Sequence, residues 1–331
     1  MPEATALDIP ADIAIRLSRT MMLIRQFEEK IVDVYGVQDM KTPVHLCIGQ
    51  EAIAAGVCEN LRTDDYILTT HRGHGHCLAK GASPRELYAE FYGRRQGCAR
   101  GKGGSMHPVA PECGVLGASA IVGGSLPHAV GAALAIKMQG GDRVAVAFFG
   151  DGATDEGVFH ESLNFAALKT LPVIFVCENN FYAVSSPILA RRCNDNIVLH
   201  AQPYDMPNEQ VDSMDVLKVY HAAHRAVARA RAGEGPTLLE CRTYRWKGHV
   251  GPEADHEKGC RPKEELEDWM QRCPVEYLNQ LLLAEGIITE EALAESTREI
   301  ERELDDALEF ARQCPFPDPR EVLENVYYTG A

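Results

Sequence analysis

Positive charge is scarce in this sequence: 33 lysines and arginines face 48 aspartates and glutamates, for a net charge of −15. Nucleic acid and anionic membrane surfaces want the opposite balance, so neither is an expected partner. Long apolar runs are missing too, and none approaches the roughly 20 residues of a membrane-spanning helix. The opening MPEATALDIPADIA carries acids and prolines. A signal peptide would have a basic start and an apolar stretch there, and a transit peptide would be rich in arginine. Eleven cysteines, an odd count, run from Cys47 to Cys314 without one C-x-x-C pair. That argues against a zinc ribbon and a disulfide framework, and for small buried apolar residues in a reducing cytoplasm. No internal repeat or low-complexity linker interrupts the chain.

What is present is an ordinary globular composition, 45% hydrophobic and 24% charged over 331 residues, enough for a substantial core. The stretch from Val144 to Tyr182 organises the rest. An apolar run ends at Gly150-Asp151-Gly152, a helix-like segment follows, and a second apolar run from Pro172 to Cys177 ends at Asn179-Asn180. Short apolar runs bounded by turn residues suit buried parallel strands joined by a crossover helix. Both strand ends then lie on one edge of the sheet, where open α/β folds bind ligands. That edge would carry the Asp151 carboxylate and the Asn180 carboxamide, hard oxygen donors of the kind Mg²⁺ accepts beside phosphate and water. A Rossmann loop is excluded, since Asp155 stands where its third glycine belongs.

Around this unit, Asp12 to Tyr35 repeats apolar residues at helical spacing and Gly36 ends it. Tyr66 to Thr70 reads as a short strand leading into THRGHGHC. His71, His74 and His76 do not complete a zinc site, because no cysteine or acid is spaced to supply the rest of four ligands. The loop instead suits close backbone approach at its glycines and a bidentate phosphate contact from Arg72. Ser83-Pro84-Arg85-Glu86 has the form of a capping box opening a helix that runs to about Tyr92. Gly97 to His107 is a glycine-rich loop but not a P-loop, since three residues separate Gly97 from Gly101 and Gly103 follows Lys102. Ala118 to Ala135 joins a loop to an alanine-rich helix. Ser213 to Arg231 reads as a long helix, Thr237 to Tyr244 as a third core strand, and the chain from Pro262 onward as helical, most clearly from Glu290 to Arg312.

The motif GDG, 26 residues, NN resembles the thiamine diphosphate motif, and the longer text GDGATDEGVFHESLNFAALKTLPVIFVCENN resembles the alpha subunit of the decarboxylating component of 2-oxo acid and acetoin dehydrogenase complexes. GQEA from Gly49, GKGGSMH ending at His107 and GH ending at His249 agree with it. The resemblance implies an α/β thiamine diphosphate-binding fold: a mostly parallel central sheet, helices on both faces and a helical C-terminal region. It divides the chain into an N-terminal helical arm at 1–40, a diphosphate-gripping domain at 41–260 and a helical extension at 261–331.

The resemblance also assigns roles. Arg72 and His71 would lie against the cofactor, together with Gly152, Ala153 and backbone atoms near Ala120 and Val122. Asp151, Asn180 and the main-chain carbonyl of Tyr182 would hold Mg²⁺. His249, and with it His107, would face the reacting carbon as catalytic groups. Many pyruvate and branched-chain members carry Tyr where His71 stands, and THRGHGHC is closer to the acetoin members. The loop after His249 departs from both, and it has no serine from Val250 to Arg261 for a kinase to modify.

The acid that relays protons through the cofactor's pyrimidine would sit on a separate beta subunit, in an assembly of two alpha and two beta chains. Three readings stay open: a dehydrogenase passing an acyl group from a small carbonyl substrate to a lipoyl acyltransferase, a transketolase-like or acyloin-forming carboligase, and a non-catalytic cofactor-binding protein. Intact Asp151, Asn180, Arg72 and His249 count against the last.

Overall fold

The structure, a computed structural model, describes residues 7–324; the ends of the expected arm and of the expected C-terminal extension, 1–6 and 325–331, lie outside the described residues. Six strands form the central sheet: β1 (Tyr66–Thr70), β2 (Val115–Ser119), β3 (Ala145–Gly150), β4 (Val173–Asn179), β7 (Asn208–Asp212) and β8 (Thr237–Arg242). Their order is β2-β1-β3-β4-β8-β7, and every neighbouring pair is parallel. A small antiparallel hairpin, β5 (Tyr182–Ala183) and β6 (Ser186–Pro187), follows β4. The mostly parallel sheet with helices on both faces is the expected fold class.

Alternation along the strands explains the layers, because successive side chains point to opposite faces. Val146, Phe148, Ile174, Val176 and Leu239 enter one core with the helices α1 (Ala11–Tyr35), α2 (Glu51–Cys58) and α8 (Val216–Arg231). Ala147, Phe149, Val173, Phe175 and Leu238 enter a second core with α5 (Ser125–Gln139) and α6 (Gly157–Leu168). On α1 the expected stripe is buried outright at Leu17, Met21, Ile24, Phe27 and Ile31. Each such side chain contributes about 1.5–3 kcal/mol through burial. Phe27 also stacks on Tyr88 of α4 (Pro84–Phe91) at 4.1 Å.

The C-terminal region is helical as expected, with α9 (Lys263–Met270), α10 (Pro274–Ala284) and α11 (Glu290–Gln313); α11 packs on α1 and α4. Two short helices near the sheet edge matter for the site, α3 (His74–Ala79) and α7 (Ile188–Arg191). Among the described residues no helix is long and apolar enough to cross a membrane.

Three local expectations change. Ser83 precedes α4 but makes no side-chain cap, so proline at the first helical position does the starting. Helix α8 begins at Val216, where Asp215 accepts from the Leu217 N–H at 3.0 Å; Ser213 is instead fixed to the Arg242 carbonyl at 2.6 Å. Strand β8 stops at Arg242, and the Thr243 N–H turns to the Asn179 carbonyl at 3.0 Å.

Candidate active site

The C-terminal ends of β1, β2, β3 and β4, with His249 from the segment after β8, open on a cavity of about 410 Å³. Asp151 starts a 3-10 turn directly after β3 and is 1% exposed. Burial holds its carboxyl above the usual range, and the guanidinium of Arg191, paired with Oδ2, offsets only part of that rise. Arg191 lies on α7 and also pairs with Asp155. The two asparagines ending β4 separate. Asn179 donates to Glu240 Oε1 at 2.9 Å, inside the protein, whereas Asn180 lines the cavity. Asn180 Nδ2 donates to Gln50 Oε1 at 2.9 Å, and its Oδ1 accepts from the Tyr182 N–H at 3.3 Å. The Tyr182 hydroxyl is anchored on Glu265 at 2.7 Å.

Arg72 follows β1 and is almost fully buried. Its Nη1 donates to the Leu46 carbonyl at 2.6 Å and its Nη2 to the His249 carbonyl at 3.2 Å. One guanidinium thus joins the backbone segments that carry His45, His71 and His249. The three imidazoles meet at the cavity with ring centroids 4.6, 5.1 and 5.4 Å apart. Burial, then the charge of Arg72, lowers their pKa values to about 3 for His45, about 2 for His71 and about 4 for His249. All three are neutral at neutral pH.

Ala120, Val122, Gly152, Ala153 and Tyr182 line the same cavity. His107 does not: its Nδ1 lies 3.2 Å from the Ala118 carbonyl at the surface, and Met106 takes the wall. The neighbours of His71 in THRGHGHC are also diverted, which explains why they form no zinc cluster. His74 Nδ1 meets Glu28 at 2.9 Å and its Nε2 meets Ser105 Oγ at 2.7 Å, tying the glycine-rich loop to α1; His76 Nδ1 meets Thr69 Oγ1 at 2.8 Å.

The loop after His249 is held by charge: Asp255 Oδ2 lies 3.0 Å from Arg245 Nη2 and 3.1 Å from Arg261 Nε, all three buried. Gly248 is required there, because a Cβ would lie 2.9 Å from the Glu253 carbonyl oxygen.

Sequence reasoning missed the lining residues His45, Gln50 and Glu178, and Arg191, which pairs with the lining residue Asp151. His45 and Gln50 stood in plain view in VHLCIGQEA, but read as the approach to a helix they suggested no contact with a strand end over a hundred residues away. The donor set fits the expected groups. Asp151 and Asn180 present oxygens to one wall, and Gly152 lets that wall close on the β5 hairpin, since a Cβ there would come 3.0 Å from the Ala183 Cβ.

The comparisons agree with this site. The family described as "Dehydrogenase E1 component" matches residues 19–320. The subunit alpha of an acetoin:2,6-dichlorophenolindophenol oxidoreductase from Bacillus subtilis (strain 168) is 40% identical over 97% of this chain and 95% of its own length. The chloroplastic pyruvate dehydrogenase E1 component subunit alpha-3 of Arabidopsis thaliana is 40% identical over 98% of this chain and 76% of its own. The corresponding acetoin subunit of Cupriavidus necator is 38% identical over 98% of this chain and 97% of its own. With the match spanning nearly the whole chain, the parallel sheet and its C-terminal cavity have a family: the chain belongs to the dehydrogenase E1 component family, oxidoreductase subunits that work with thiamine diphosphate.

Proposed function

We propose that this chain is the alpha subunit of a thiamine diphosphate- and Mg²⁺-dependent dehydrogenase that cleaves acetoin or decarboxylates a small 2-oxo acid and hands the acyl group to a lipoyl domain. The observation that carries the reading is the single cavity joining a buried carboxylate and carboxamide at one wall to three neutral imidazoles at another. When bound, thiamine diphosphate supplies the electron sink that breaking a bond beside a carbonyl requires.

The residues divide the remaining work. Asp151, Asn180 and the Tyr182 carbonyl offer hard oxygens for the metal, and Arg72 keeps N–H groups beyond the two it spends on carbonyls for the diphosphate. Gly152, Ala153, Ala120 and Val122 shape the walls. His249 is a neutral base at working pH and takes or returns a proton at a ring nitrogen, with His71 beside it. His107, off the cavity wall, would act only if closure by a partner brought it inward.

In this reading 41–260 is the cofactor-gripping unit, flanked by the arm at 1–40 and the extension at 261–331. The relay acid comes from a beta subunit, two alpha and two beta chains completing the enzyme. The test is dichlorophenolindophenol reduction with acetoin and with pyruvate, on this chain alone and with a beta subunit. Activity is expected only in the pair; full activity of the isolated chain would refute the two-subunit reading. Formation of a new carbon–carbon bond without dye reduction would favour the carboligase.

A further inference from the structure

We propose that His45, His71 and His249 form a binding site for one divalent transition ion of the Zn²⁺ type, distinct from the oxygen site at Asp151 and Asn180. One ring nitrogen from each residue lies within 4.8 Å of those of the other two. Three imidazoles with a fourth position open to the cavity is a donor set that Zn²⁺ accepts and Mg²⁺ does not. With Zn–N bonds of about 2.0–2.1 Å, tetrahedral coordination wants nitrogens about 3.3 Å apart. Rotation about the side-chain bonds would have to supply that closure on the present backbone. It is already fixed, because Arg72 bonds the carbonyls of Leu46 and His249 while itself following His71 in sequence.

One further observation supports the site. The Nδ1 of His45 is buried without a hydrogen-bond partner, a situation that costs free energy until something pairs with it.

The Arg72 and Arg245 guanidinium groups both oppose a cation here, and Asp255, shared between Arg245 and Arg261, offsets only part of that charge. A hydroxide or oxyanion as fourth ligand completes the balance. On the function proposed above, the ion and a proton would compete for the His249 ring nitrogen, so bound Zn²⁺ would inhibit turnover.

The test titrates the full chain, stripped with chelator, with Zn²⁺ in excess Mg²⁺ by calorimetry. One ion per chain is expected, with affinity weakened about 100-fold in His71→Phe and unchanged in Asp151→Ala. Cu²⁺ bound to the parent chain should show three imidazole nitrogens by electron paramagnetic resonance, a measurement that needs no variant. Zn²⁺ binding that survives His71→Phe, that is lost in Asp151→Ala, or a Cu²⁺ spectrum without imidazole coupling would overturn the site.

Discussion

The side-chain amide of Asn180 is held by Gln50: Nδ2 donates to Oε1 at 2.9 Å, and this fixes which end of the carboxamide is the oxygen. Gln50 Nε2 is buried, lines the same cavity and has no partner of its own. Gln50 therefore positions a proposed metal ligand while keeping one donor in reserve for the cofactor. Removing an outer partner of a ligand commonly costs about 10–100-fold in metal affinity. Gln50→Ala should weaken Mg²⁺ or Mn²⁺ binding to that extent in a titration. Gln50→Glu, which still accepts from Asn180, should keep metal affinity but weaken diphosphate binding. Equal effects of the two variants would refute this division.

Arg191 occupies the Asp151 carboxylate that the proposed metal needs. A cation arriving there must displace a guanidinium that Asp155 also holds, so Arg191 competes with it. Arg191→Ala should strengthen Mg²⁺ binding to the chain by roughly tenfold, which is about 1.4 kcal/mol. Calorimetry reads this without any turnover. Weaker binding in the variant would show that Arg191 helps the site.

The three cavity histidines make stability depend on pH. Their folded pKa values are about 3, 2 and 4, below the usual imidazole value of about 6.5. Between pH 4 and 6.5 the unfolded chain binds more protons than the folded one, so stability is full above that window and falls as pH drops through it. Up to about three protons should be taken up on unfolding at pH 5. Thermal melts from pH 7.5 to 5 measure the slope, and His71→Phe should make it shallower. The same slope in parent and variant would mean that His71 titrates normally.

His249→Ala should leave cofactor affinity intact and lower turnover by about 10²–10⁴-fold, the range for a lost proton-transfer group. Because burial holds its pKa near 4, the acid limb of kcat/KM from this group should lie well below pH 6. Wild-type dye reduction by the variant, assayed with a beta subunit, would make His249 structural.

Ile121 is 74% exposed and Val122 50% exposed at the rim of the cavity, with Val184 beside them at 56%. Apolar rims of this kind are covered when a partner closes the site. Ile121→Asp should leave the melting temperature of the isolated chain unchanged and prevent assembly with a beta subunit, read by light scattering. Normal assembly would place the interface elsewhere.

Local pattern and spacing determined much of this molecule. The period of α1, the apolar runs of β3 and β4, and turn residues at their ends depend on near neighbours, and the structure reproduces them within a few residues. Asp151 and Asn180 were legible because a parallel crossover carries both strand ends to one edge. Strand β7, reading Asn-Glu-Gln-Val-Asp, was not legible, since an edge strand facing solvent has no apolar signature and exists by pairing with β8. Only the tertiary structure decided that Gln50 orients Asn180, that Arg191 sits on Asp151, and that His45 joins His71 and His249. Each of those choices is a contact across a large sequence separation, made by hydrogen bonds and charges whose partners no local period announces.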